Sequence, residues 1–454
     1  MLDVGRHPNV ELMAYSEVEK IEGTKGNFKV TIRKKARYVE ETKCTGCGAC
    51  TQKCPTIVSD AFNEGFSERK AIYSWFAQGI PSTHTIDPDF CRVLNGKKCG
   101  ICQKQCEADA INFEQKDKIV ELDIGSIIVA TGYEIFNPEK IPEYRYKDLP
   151  NVITAIEFER FLSASGPTGG HIDRPSDIAV NEEITVLEKK VKKSTKLISR
   201  FEDKHGIKSK DFYSKFKNNE YKKEDENFKD MEKWAAKYKA HLEISQSLEA
   251  LNKAAARFDV AKKLAFIQCV GSRDLRFYPF CSGYCCMHSI KEAIIAHEHE
   301  NETSSTIFGM DIRAVSKGFE EYKVRGGNNS NISYIRGRVA EITNGPDNNP
   351  VIIYEDTKEQ KVKKEEFELV ILATACAPNK GIEKLSQILD IETDNFGFFK
   401  TLENKPLDTT RKGIYVCGCA HSPMDIPESV AQASSAASRA VQAVTMTSQT
   451  VKAS

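Results

Sequence analysis

The sequence predicts an α/β fold in which two sheet domains of like construction are interrupted, first by a cysteine-rich module and then by a charged helical segment. Three observations carry that expectation. The stretches Asp123 to Tyr133 (DIGSIIVATGY) and Glu368 to Pro378 (ELVILATACAP) are apolar, β-branched and alike in reaching an Ala-Thr pair, Ala130-Thr131 and Ala373-Thr374. Such runs fit strands buried on both faces of an α/β sheet. The 15 cysteines fall in clusters. Between the two runs lies a segment rich in Lys and Glu whose apolar residues recur at helical spacing.

A chain of 454 residues allows two to four domains. Its 65 basic and 65 acidic residues cancel, so the basic excess that a nucleic-acid partner demands is missing. No apolar run reaches the ~18 residues of a membrane span, and the opening MLDVGRHPNV lacks the apolar core of a signal peptide. A cytoplasmic chain is expected. There, an odd number of clustered cysteines points to metal or redox chemistry and away from a disulfide framework.

Residues His7 to Val39 alternate like an antiparallel strand pair turning at Gly23 to Gly26. Next comes Cys44-x2-Cys47-x2-Cys50-x3-Cys54-Pro55, the bacterial ferredoxin spacing. Steps of x2 in a tight loop aim three thiolates at one centre, and Gly46 and Gly48 permit the turns. The fourth cysteine is expected to open a helix and to serve a second cluster. Cys91-x7-Cys99-x2-Cys102-x3-Cys106 completes the pair, with its first ligand displaced by RVLNGKK and Glu107 in place of proline. One 4Fe-4S cluster is assigned to Cys44, Cys47, Cys50 and Cys106, the other to Cys91, Cys99, Cys102 and Cys54. A pair of zinc sites is the competing reading.

The strand leading to Ala130, Thr131 and Gly132, and the segment Gly413 to Ala420 with an amphipathic helix from about Val430, are parts that two-domain flavin disulfide reductases place around FAD. There the later strand ends in Gly-Asp; here Gly418 precedes Cys419. FAD contacts are expected from Ala130, Thr131, Gly132, Gly418, Cys419, Asp425, Ile426, Pro427, Val430 and Gln432. No GxGxxG follows an opening strand, so the usual pyrophosphate turn is not among these residues, and the chain reads as beginning inside the flavin domain.

In the second sheet domain, Phe266 to Arg273 (FIQCVGSR) reads as a strand and turn with one glycine where a dinucleotide site needs three. Cys269, Cys281, Cys285 and Cys286 are candidate ligands of a third cluster, Cys281 and Cys285 lying one turn apart if a helix starts there. A buried core Cys269 and a redox-active Cys285-Cys286 pair are the alternatives. Cys376 reads as core, and Cys417 and Cys419 as structural or flavin-lining. Arg273 and Lys104 are candidates to stabilise reduced clusters, against a plain surface role. From Asn181 to Lys263, Ile184, Leu187 and Val191, then Met231, Trp234, Tyr238 and Leu242, mark a helical hairpin broken at Lys204 to Glu226. It is either a solvated spacer or a docking arm anchored by Trp234 and Tyr238.

The motifs KCTGCGACTQKCP, KCGICQKQC, IIVATGYEIF, SGPTGGHIDRPSD, AFIQCVGSRD, YCCMHSIKEAI, IRGRVAEI, GFFKT and YVCGCAHSPMDIPESVAQAS run nearly end to end. On them the chain resembles the A-type subunits of heterodisulfide reductase. The resemblance implies an electron-transferring oxidoreductase with a thioredoxin-reductase-like body that binds FAD, an inserted two-cluster ferredoxin, and a non-standard third cluster at the Cys281 to Cys286 motif. It implies flavin-based electron bifurcation or confurcation with ferredoxin and a CoM-S-S-CoB-type heterodisulfide. The expected partners are B- and C-type subunits and an electron-input subunit. The family's first Rossmann half is not in this sequence, which adds a companion chain carrying GxGxxG as an expected partner. The expected domains are 1–43 with 119–150 and 386–454 (FAD-binding), 44–118 (ferredoxin), 151–176 with 263–385 (NAD-binding-like) and 177–262 (helical insertion). Readings from other classes are a pyridine-nucleotide-dependent disulfide reductase using Cys285-Cys286 and a non-catalytic ferredoxin scaffold.

Overall fold

The computed structural model describes residues 2–76, 78–222 and 227–452, with side chains through 445. β1 (Ser16–Thr24) and β2 (Asn27–Lys34) form the expected hairpin, Thr24 facing Asn27 across the turn. The cysteine module, with the one-turn helices α1 (Ala49–Lys53) and α2 (Ile101–Gln105), follows. It leads into β3 (Lys118–Ile124), which pairs with the free side of β2. The module is therefore an insertion between adjacent strands of one antiparallel sheet. It closes on itself before its first cysteine: Val39 bridges Ile111, and the Glu40 and Asn112 amides donate to the Ala110 and Tyr38 carbonyls. The expected start at residue 44 moves earlier for that reason.

β4 (Ile127–Val129) and β5 (Tyr133–Ile135) carry the chain toward the second sheet. There β6 (Val152–Thr154) enters α3 (Ala155–Phe161) through a capping box between Thr154 and Glu157. The insertion follows as α4 (Pro175–His205), α5 (Ser209–Lys217) and α6 (Phe228–Ala255), α4 packing on α6. α5 lies inside the predicted break, whose end, 223–226, is outside the described residues. Trp234 is 1% exposed, stacks on Phe212 at 3.8 Å and donates from Nε1 to Ser209 Oγ at 3.0 Å. It is the core of the insertion, not a docking anchor, because three aromatic-bearing helices close over it. Tyr238 packs at the edge of the same cluster.

The chain returns as β7 (Lys263–Val270), α7 (Cys285–His299), β8 (Ser304–Gly309), β9 (Ile332–Asn344), β10 (Pro350–Asp356), β11 (Lys361–Glu366) and β12 (Leu369–Thr374). The sheet order is β6-β12-β7-β8-β9-β10-β11, parallel through β9 and then an antiparallel meander. Side chains of β7 alternate between two cores. Leu264 and Phe266 pack with Phe158, Ile290 and Ala293 of α3 and α7. Ala265 and Ile267 pack with Phe308, Ile352 and Tyr354 on the meander side. Each large apolar side chain buried this way contributes about 1.5–3 kcal/mol.

β13 (Cys376–Pro378) pairs antiparallel with β5 and forms the crossing back to the first region, where β14 (Ile414–Val416) lies parallel to β4 before α8 (Ile426–Lys452). β12 is buried along its whole length, as its composition predicts. β4 is not: Ile128 is 40% exposed, because among the described residues β4 has only β14 beside it. No helix among the described residues is long and apolar enough to cross a membrane.

Candidate metal centres

Gly48 and Gly100 start α1 and α2 with a left-handed backbone, φ 79° and 116°, that other residues adopt only under strain. Each helix buries one thiol, Cys50 or Cys102, and ends on an extended cysteine, Cys54 or Cys106. The fourth cysteine of each run thus closes a helix instead of opening one. The x3 step is one helical turn, and the extended backbone after it throws the thiol across to the other half. Burial pushes the Cys50 thiol up, with Cys44 and Cys106 adding to it. Burial pushes Cys102 to about 12, with Cys91 and Cys54 the foremost thiols adding to it. Cys54, Cys91, Cys99 and Cys102 line one cavity with Ile72 and Ile86. Asn95 shapes the RVLNGKK loop by donating from Nδ2 to the Pro88 and Cys91 carbonyls, both at 2.9 Å. All are free thiols. Cys50 and Cys102, buried thiols that resist ionisation alone and have other cysteines beside them, fit iron–sulfur cores that supply the missing positive charge.

The third group sits at the carboxyl ends of β12, β7 and β8. The chain leaves β7 toward β8 on one side and returns as β12 on the other, so this is the switch point where open α/β sheets bind ligands. Cys269 has φ 61° where the ladder to β12 slips between Ile267 and Val270. A non-glycine residue stays there only when its surroundings hold it. Cys281 lies in the loop that replaces a pyrophosphate turn, its Sγ accepting from the Gly283 amide at 3.4 Å. α7 starts only at Cys285, so the expectation that Cys281 and Cys285 share a helix is corrected. The Cys285 thiol donates to the Thr374 carbonyl at 3.6 Å and Cys286 to that of Asp311 at 4.0 Å. Burial, with Cys286 and Cys281 adding, raises Cys269 to about 11. Cys285 is raised by burial and by Cys286, Cys269 and Cys281. The four thiols therefore lie near enough to influence one another. Burial raises both Cys285 and Cys286, the wrong direction for a nucleophilic pair. Arg273 hydrogen-bonds both Cys269 and Asp311, so it is the basic residue that reaches this group.

The residues expected around FAD gather at one end of the β4–β14 pair, where the Cys417 amide donates to the Val129 carbonyl at 3.1 Å. Several are engaged internally. Gln432 Oε1 accepts from the Gly418 amide at 3.0 Å. Asp425 caps α8, accepting from the Glu428 amide at 2.8 Å and from Ser316 Oγ. These bonds fix the start of α8 and leave Ile426 and Val430 exposed beside Pro427. The fit to a flavin is partial: a strand-end platform and helix start are present, and no glycine-rich βα turn occurs among the described residues. Nothing in the one-dimensional pattern signals that Cys376, read as core, meets Cys419. Their thiols are hydrogen-bonded, and this bond foremost pulls Cys419 down to about 7. Cys417 is buried, and burial raises it.

Fold and cysteine spacing together define an iron–sulfur protein on an α/β frame. Residues 37–56 match the family of 4Fe-4S binding domains. Along 97% of its length the chain is 36% identical to the A-type subunit of the H(2):CoB-CoM heterodisulfide,ferredoxin reductase of Methanothermobacter thermautotrophicus, covering 54% of that protein. It is also 36% identical, over 98% of its length, to a heterodisulfide reductase A-subunit-like protein of Archaeoglobus profundus, covering 58% of it. The chain is thus a relative of the heterodisulfide reductase A subunits, and it spans about half the length of the curated relatives it matches. Thioredoxin reductase of Lactococcus lactis (FR conformation) aligns at 15% identity over 83% of this chain and 86% of its own, with a TM-score of 0.36. That likeness is too low to add to the sheet topology.

Proposed function

We propose that this chain is an iron–sulfur part of a heterodisulfide-reductase-type oxidoreductase and relays electrons through three 4Fe-4S clusters. The carrying observation is that eleven of the twelve expected ligand cysteines fall into three neighbourhoods, two in the module and one at the switch point of the sheet, the twelfth, Cys47, standing exposed between Cys44 and Cys50 in the chain. Clusters supply one-electron chemistry, while the protein fixes their spacing and surroundings. Cys44, Cys47, Cys50 and Cys106 would hold one cluster. Cys54, Cys91, Cys99 and Cys102 would hold the second, and Cys269, Cys281, Cys285 and Cys286 the third.

FAD would sit at the ends of β4 and β14, with its pyrophosphate held by a βαβ unit outside the described residues. The exposed Ile128, Ile426 and Val430 support an additional element beside this end. The reading extends to B- and C-type subunits, an electron-input subunit, ferredoxin and a CoM-S-S-CoB-type heterodisulfide, with bifurcation or confurcation at the flavin. Similarity to the relatives' A-type subunits motivates that extension. Iron and acid-labile sulfide assays on anaerobically purified protein test the core of the reading, with about twelve irons per chain expected. About eight irons would remove the third cluster.

A further inference from the structure

Outside the thiol groups, three ligand-type side chains meet between α3 and α7. Glu159 comes from α3. His288 and Glu292 come from successive turns of α7, and their i, i+4 spacing puts them on one face. One donor atom from each lies within 4.8 Å of the other two. His288 Nε2 is 3.1 Å from Glu292 Oε1 and 3.6 Å from Glu159 Oε2. Around a tetrahedral cation with ligand bonds of about 2.0–2.1 Å, neighbouring donors stand about 3.3–3.4 Å apart, and the two separations straddle that value.

Burial supplies a second, independent sign. Glu292 is 0% exposed, and neither of its carboxylate oxygens has a hydrogen bond of acceptable geometry among the described residues. A carboxylate in that position calls for a positive partner that binds oxygen directly. His288 also lines a cavity with Tyr133, Tyr284 and Thr374, so the group is not sealed off on every side. Lys291 already contacts Glu159. Two carboxylates, an imidazolium and an ammonium would balance in charge with no metal, and that network is the alternative to be beaten.

We propose that Glu159, His288 and Glu292 bind one divalent first-row transition cation, of the zinc or ferrous type, which ties α3 to α7. One imidazole nitrogen and two carboxylates suit such a cation, and carboxylate charge offsets its own. The proposal is independent of the cluster and flavin readings, since none of its donors is a thiol.

The test uses the full chain, purified anaerobically with its clusters, washed with EDTA, loaded with zinc chloride and desalted. Zinc, iron and sulfide are then measured together. The expected result is one zinc per chain in the parent, at least a tenfold loss of zinc affinity in Glu292→Gln and in His288→Gln, and unchanged iron and sulfide in both. Zinc should raise the melting temperature of the parent and of neither variant. If a variant also loses iron, Glu159→Gln, at a half-buried carboxylate, becomes the deciding variant, with the same tenfold loss expected. Absence of retained zinc, or equal retention by parent and variants, would overturn the proposal, the second result placing the zinc at thiols.

Discussion

The ferredoxin-type module and the thiol group at the sheet's switch point offer the same donor chemistry by opposite routes. In the module, eight cysteines lie within residues 44–106, brought together by one-turn helices, left-handed glycines and a short loop. At the switch point, one thiol comes from a slipped strand end, one from a loop and two from a helix start, Cys285 resting against the end of β12 and Cys286 against the chain just after β8. The module's geometry depends on local turns; that of the other group depends on a packed seven-stranded sheet. Damage to the sheet should therefore separate the two.

The largest separation is expected from Phe266→Ala. Phe266 is fully buried in β7 between α3 and α7, and its truncation should cost about 3–5 kcal/mol. Denaturant melts should show that loss, and electron paramagnetic resonance should show the third cluster's signal weakened while the module's pair persists. Equal loss of all signals would mean that the module also leans on the sheet.

Trp234→Ala removes a comparable side chain from the insertion, about 3–5 kcal/mol of local stability, and should leave iron content unchanged. Hydrogen exchange confined to α5 and the neighbouring turns of α4 and α6 is the expected readout. Cys285→Ser sharpens the comparison at one atom. Roughly one third of the iron should disappear, with the module's signals intact.

The Cys376–Cys419 contact gives a pH test. Held at about 7, the Cys419 thiol is protonated and slow to alkylate below that pH and reactive above it. Iodoacetamide labelling followed by mass spectrometry should show a midpoint near 7 for Cys419. Cys376→Ala removes the bond and should move the midpoint upward, toward the ordinary thiol value of about 8.5. The smallest effect is expected from Thr154→Ala. Losing that capping box costs about 1 kcal/mol, seen as a small fall in denaturation midpoint with every cluster retained.

Much of the molecule was legible in one dimension. The x2-x2-x3 cysteine spacing fixes a module because its ligands lie within a few residues of each other, so few backbone paths satisfy them. The alternation before Lys34 announces the β1–β2 hairpin, and the apolar run at Leu369–Thr374 announces a central strand, each through side-chain period alone. At β4 the same kind of composition promised burial on both faces, and Ile128 is exposed. Burial belongs to the neighbours a strand finds, and composition cannot count them.

By itself, then, the sequence marked which cysteines stand at ligand-type spacing, that a cysteine-rich module interrupts the frame, and that the first βα turn of the second sheet lacks the glycines for a dinucleotide. Only the tertiary structure decided which distant groups meet. Cys376 finds Cys419 across the β5–β13 crossing, Glu159 finds His288 and Glu292 because α3 and α7 cover the same face of the sheet, and Trp234 turns inward because α5 folds over it. The physical reason is common to all three. Local spacing sets the direction of a side chain relative to its own helix or strand, whereas contacts between elements follow from how the apolar faces of the whole chain are buried together.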